Sequence, residues 1–188
     1  MELFLALQLF IKTVTASYAS FYYRLKALKT DQPDGVQKAI DAILKYMKTP
    51  MYVQQLSPDG SGLINERIKI LENDLDWEAH LVEGMWVTKQ LNNYYLFYAG
   101  NDFSTNEYGI GVAIAQSPTG PFKKTTKPFL QSSKEWWAPG HPSVVIAPDG
   151  RPTMFLHAFY PGQAGYKKFR ALLSLPLVFT IDSVDFMG

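Results

Sequence analysis

A strand with an unusual opening occurs twice in this sequence. Leu81-Val82-Glu83-Gly84-Met85-Trp86-Val87-Thr88 returns in altered form, about 60 residues further on, as Gly140-His141-Pro142-Ser143-Val144-Val145. The strands after each opening repeat as well. The apolar run Tyr94-Tyr95-Leu96-Phe97-Tyr98 is matched by the run that starts at Met154 and ends at Phe159, and the run from Tyr108 to Ala115 by the one from Phe169 to Leu175, at nearly the same offset. A period of this length, made of short strands and turns, points to propeller blades, small antiparallel sheets that cannot bury their faces without a neighbour. It puts a carboxylate, Glu83, at the head of one blade and an imidazole, His141, at the head of the next.

Composition sets wide bounds. The 188 residues are 47% hydrophobic and carry a net charge of +1, enough apolar material for one core and no excess of either sign that would draw the chain to nucleic acid or an anionic membrane. Aromatics reach 14%, which suits strand packing first and sugar stacking second. The absence of cysteine excludes disulfides, thiolate metal sites and cysteine nucleophiles. Near the N-terminus, the apolar stretch from Leu3 to Ile11 and the small residues Ala16-Ser17-Tyr18-Ala19-Ser20 weakly resemble a signal peptide, but Glu2 stands where a basic residue belongs. A structural strand or helix is the expectation there, and secreted and cytoplasmic locations both stay open. Gln8 and Lys12 interrupt the only candidate span, so no membrane role is expected.

Between the N-terminus and the first clear blade the pattern changes. Residues 21–28 read as a strand broken by Asp31-Gln32-Pro33-Asp34-Gly35. Val36, Ile40, Ile43, Leu44 and Met47 then recur at helical spacing, predicting an amphipathic helix over 36–47 that ends before Pro50. Strands resume at Met51-Tyr52-Val53-Gln54-Gln55-Leu56, closed by Ser57-Pro58-Asp59-Gly60, and at Arg67-Ile68-Lys69-Ile70-Leu71. The expected organisation is one incomplete propeller domain over 1–188: an altered blade at 5–71 with the helix inserted, a blade at 82–130 and a blade at 140–186.

With the motifs in place, the sequence resembles glycoside hydrolase family 43. The resemblance runs over roughly residues 50 to 183. It is carried in order by Val82-Glu83-Gly84-Met85-Trp86, Tyr94-Tyr95-Leu96-Phe97-Tyr98-Ala99-Gly100-Asn101, Tyr108-Gly109-Ile110-Gly111-Val112-Ala113, Ser117-Pro118-Thr119-Gly120-Pro121-Phe122 and Ala138-Pro139-Gly140-His141-Pro142-Ser143-Val144-Val145. It implies an all-β fold, about three blades of a five-bladed β-propeller, with a sugar pocket at the axis. The activity implied is hydrolysis of α-L-arabinofuranosides, arabinans or β-xylosides with inversion, the partner being an arabinose- or xylose-containing oligosaccharide.

Inverting hydrolysis needs a carboxylic acid to protonate the leaving oxygen and a carboxylate about 6.5–9.5 Å away to activate water. The resemblance maps the acid onto Glu83, with Val82, Met85 and Trp86 as a desolvating apolar wall, although Met85 stands where the family has proline. The family also uses an Asp base on its first blade and a second Asp about one repeat before the acid. Here the matching strand start, Thr13-Val14-Thr15-Ala16-Ser17-Tyr18-Ala19-Ser20, has no carboxylate, and Asp31, Asp34 and Asp41 fall in the break and the helix as solvated residues. Three blades of this period fill the sequence and leave no room for the first. The chain therefore reads as the C-terminal part of a family member, impaired in catalysis. A non-catalytic glycan-binding remnant and a ligand-free structural fragment are the alternatives.

His141, Arg170, Trp137, Asn101 and Tyr108 are the expected sugar contacts. The resemblance implies the arginine, relatives carrying one that reaches the sugar, with a strand-edge salt bridge as the alternative, and Trp136, Trp137 and Trp77 are candidates for a stacking wall with core packing as the alternative. No cofactor is required. A histidine of this motif faces a hydrated cation in arabinan-cleaving relatives, so calcium held through water is the expected metal contact of His141. His80 and His157 read as structural, the latter hydrogen-bonded within an apolar strand. Open sheet edges in an unclosed ring would favour self-association.

Overall fold

The computed structural model describes residues 48–187, so the helix expected over 36–47 and the strands expected before it lie outside the described residues. The described part is all-β, a partial propeller of three antiparallel sheets. β1 (Met51–Leu56) pairs with β2 (Leu63–Leu71). β3 (Val82–Gln90), β4 (Asn93–Gly100), β5 (Gly109–Ala115) and β6 (Lys123–Lys124) form a four-stranded meander, and β7 (Trp137–Ile146), β8 (Pro152–Phe159), β9 (Ala171–Phe179) and β10 (Val184–Phe186) form another.

The middle sheet is covered on both faces, which explains the unbroken apolar run of β4. Tyr95 and Phe97 point one way, into a core with Ile110, Val112, Val144, Met154, Leu156 and Leu177 that joins the two meanders. Leu96 and Tyr98 point the other way, against Met51, Leu71, Val82 and Ala113. Side chains alternate along a strand, so a strand packed on both sides must be apolar at every position. Each large side chain buried in this way contributes about 1.5–3 kcal/mol of hydrophobic stabilisation. Trp86 adds a polar tie across the blades, its indole N–H donating to the carbonyl of Val144 at 2.9 Å.

Both blade openings depart from regular pairing. The β3–β4 register shifts between Glu83 and Trp86, and the β7–β8 register shifts on either side of Gly140. Within these bulges Gly84 (φ 58°) and His141 (φ 52°) take left-handed backbone, a conformation natural to glycine and strained for histidine. The two residues occupy corresponding places in successive blades, and they touch. A Cβ on Gly84 would lie 3.0 Å from Nδ1 of His141.

Candidate active site

The bulge of β3 presents Glu83, half-buried, at the end of the sheets where the bulges of β3 and β7 meet. Its Oε1 accepts a 2.8 Å hydrogen bond from the phenol of Tyr108, and no described residue hydrogen-bonds Oε2. The ring of Tyr108 is fully buried just ahead of β5, and Gly140 makes room for it. A Cβ on Gly140 would fall 1.9 Å from Cε1 of that ring. The backbone of Gly140 is not left-handed, so this glycine is required for space alone.

Tyr108 also lies parallel to His157, the ring centroids 6.3 Å apart and the planes 7° from parallel. His157 sits on β8 opposite Gly140, and its ring is 6.0 Å from that of His141. The guanidinium of Arg170 donates from Nη1 to Nε2 of His157 at 3.1 Å. Arginine carries no acceptor, so Nε2 presents its lone pair and the proton of the neutral ring sits on Nδ1. Burial, with help from the nearby Arg170 and His141, pushes His157 down to about 4. Arg170 is itself held over the rings of Phe103 and Phe159, at 5.4 and 5.6 Å.

Tyr108, His141 and Arg170 are thus gathered around one further residue, His157, and Tyr108 links this group to Glu83. The apolar wall expected at Glu83 is only partly present. Val82 is buried, but the bulge leaves Met85 42% and Trp86 38% exposed. Trp137 opens β7 opposite Phe159 and is half-buried. Asn101 is engaged within the protein, donating from Nδ2 to the carbonyl of Trp77 at 2.9 Å and accepting from the amide of Asp102 at 2.8 Å.

Sequence reasoning missed a second polar cluster beneath the start of β3. The fully buried carboxylate of Glu78 meets Nζ of Lys124 at 2.7 Å and the phenol of Tyr98 at 2.7 Å, and it accepts the amides of Asp74 and Leu75. Burial and the Glu78 carboxylate together hold the Tyr98 phenol well above its ordinary range. The backbone amide of Asn101 donates to the Glu78 carbonyl, so this cluster anchors the segment that leads into β3. An acid beside Trp77, in a stretch too short to form a strand, was the available signal.

The model of glycosyl hydrolases family 43 matches residues 37–183. The chain belongs to glycosyl hydrolases family 43. A β-D-galactofuranosidase of Aspergillus niger is 39% identical over 71 residues, which are 37% of this chain and 21% of that protein. Among solved structures, a thermostable family-43 glycoside hydrolase aligns at 30% identity with a TM-score of 0.68, over 75% of this chain and 48% of its own. An α-L-arabinofuranosidase of Lactobacillus brevis shares the fold at 20% identity with a TM-score of 0.63, over 73% of this chain and 46% of its own. The chain therefore spans about a fifth of the curated relative and about half of these structures. As a family 43 chain it carries sheets of the family's propeller, and the motifs of both blade openings lie within the matched residues.

A cation facing His141 would be held mainly through water, as expected from arabinan-cleaving relatives. Calcium takes six to eight oxygen ligands. Among the described residues no group of three or more His, Asp or Glu is placed to hold an ion, and His141 offers a single nitrogen. That donor set does not fit a directly coordinated calcium.

Proposed function

We propose that this chain carries the proton-donating half of an inverting glycosidase site for arabinofuranosides or β-xylosides, with Glu83 as the general acid. The observation that supports it most is the asymmetric tethering of the Glu83 carboxyl. Tyr108 holds Oε1, which sets the rotation of the group and leaves Oε2 as the oxygen that carries and delivers a proton to a glycosidic oxygen. His141, in contact with Gly84 beside the acid, is placed to meet sugar hydroxyls, while Arg170 acts through His157 and Tyr108 to keep the acid in position. The strand start one repeat before Glu83, Thr13 to Ser20, carries no carboxylate in the sequence, which favours slow turnover by this chain on its own.

The test is hydrolysis of aryl α-L-arabinofuranosides, β-D-xylosides and β-D-galactofuranosides, paired with calorimetric binding of the free sugars. Weak sugar binding that changes in Glu83→Gln, with turnover at least about 10²-fold below that of a complete relative, is the expected result. Vigorous hydrolysis abolished in Glu83→Gln keeps Glu83 as the acid and overturns the impairment. A chain that neither binds nor cleaves any of these sugars overturns the proposal.

A further inference from the structure

Three aromatic rings with open surface lie outside the Glu83 pocket, and their geometry points to a second binding element. We propose that Trp136, Tyr160 and Phe169 form a subsite that carries successive sugar rings of a linear arabinan- or xylan-type oligosaccharide, an extension that rests on the pocket reading above. The rings of Trp136 and Tyr160 are 5.2 Å apart and 26° from parallel, and those of Tyr160 and Phe169 are 6.1 Å apart and 20° from parallel.

Aromatic planes in van der Waals contact sit about 3.5–4 Å apart, so centroids 6.1 Å apart have slipped sideways by about 4.6–5.0 Å. The rings form a staircase in which each leaves part of its face open. Exposure agrees, at 48% for Tyr160 and 66% for Phe169. The staircase follows from the sheet beneath it. Trp136 directly precedes β7, Tyr160 directly follows β8 and Phe169 lies two residues before β9, so the three rings ride on adjacent strands at the sheet end that carries His141. Neighbouring strands, about 4.7–4.9 Å apart, bring rings at matching ends within reach of one another.

The row begins at Trp136, the residue before Trp137, and ends at Phe169, the residue before the Arg170 that holds His157. Its chemistry suits a sugar chain. Ring faces take the C–H faces of sugars, while the indole N–H and the phenol O–H can meet hydroxyls. The residues next to the row in sequence, Lys134, Glu135, Lys167 and Lys168, are charged and exposed, a polar setting closer to that of a sugar chain than to the broad apolar centre of a protein interface.

The experiment titrates this chain with mono-, tri- and hexasaccharides of arabinose and of xylose, followed by calorimetry and tryptophan fluorescence. The variants are Tyr160→Ala, Phe169→Ala and Glu83→Gln, with sedimentation run in parallel. Affinity is expected to rise with chain length. Phe169→Ala and Tyr160→Ala should each lower hexasaccharide affinity about three- to tenfold while leaving monosaccharide affinity unchanged. Monosaccharide binding that responds to Glu83→Gln, with no effect of chain length or of the two aromatic variants, overturns the row and leaves the pocket standing. Length-dependent binding that is lost in Phe169→Ala but indifferent to Glu83→Gln supports the row and counts against the pocket. No binding of any sugar overturns both. A dimer dispersed by Phe169→Ala, without length-dependent sugar binding, makes the row a contact between copies and overturns it as a sugar subsite.

Discussion

Replacing Gly140 with alanine tests the linkage between the start of β7 and the acid. The new Cβ would lie 1.9, 2.7 and 2.9 Å from Cε1, Cζ and Cδ1 of Tyr108, contacts that no real structure tolerates. The phenol ring cannot swing away freely, because it is fully buried and tied by its hydroxyl to Glu83. Overpacking of this kind costs about 1–3 kcal/mol. Displacing the ring also weakens its bond to the Glu83 carboxyl, adding about 1 kcal/mol. The expected loss is about 2–4 kcal/mol, or about 4–16 °C in melting temperature for a chain of this size. Urea denaturation of the wild type, Gly140→Ala, Tyr108→Leu and the double variant gives the coupling directly. Removing the phenol ring should relieve the clash, so Gly140→Ala should cost at least about 1 kcal/mol less in the Tyr108→Leu background. Additivity within about 0.5 kcal/mol would refute the steric argument, since it would mean that Gly140 and Tyr108 do not share the space assigned to them.

The polar groups carry two more predictions. Lys124→Met should cost about 3–5 kcal/mol, because it strands the buried Glu78 carboxylate, and adding Glu78→Gln should recover part of that loss in chemical denaturation. His157, held near 4 in the folded protein against 6.5 in the unfolded chain, contributes stability that is complete above pH 6.5 and is lost as pH falls toward 4, because only the unfolded chain takes up the proton in that window. Thermal melts of the wild type and His157→Phe between pH 7 and 4 should therefore diverge in slope, with the variant flatter. Parallel slopes would count against the neutral, Arg170-held imidazole.

The strands were legible because two physical signals coincided. A run such as Tyr94 to Tyr98, short, aromatic-rich and bounded by turns, reads as a strand, and its return at Met154 marked a repeated sheet unit that needs a neighbour to bury its faces. Glu83 and His141 were legible as the residues that open their blades, since the same repeat brought both to one end of the sheets. The role of His157 was hidden. Its neighbours in sequence are apolar strand residues, while its partners Tyr108, His141 and Arg170 are brought to it by cross-strand pairing and by packing between blades, which periodicity does not encode. The pairing of Glu78 with Lys124 was hidden for the same reason, the two lying far apart along the chain. The aromatic row was visible only as scattered letters, because Trp136, Tyr160 and Phe169 align once three strands are laid side by side.

The two-sided cover of β4 also makes it a hazard. Tyr94 to Gly100 is uncharged, free of proline and rich in aromatics, the composition of segments that stack into cross-β fibrils when left bare. As ribosomes release the chain, this stretch emerges before the β7–β10 sheet that shields one of its faces has been made. Variants that loosen the sheets, Lys124→Met among them, should consequently be lost as insoluble aggregate in the cell before any soluble unfolded species accumulates.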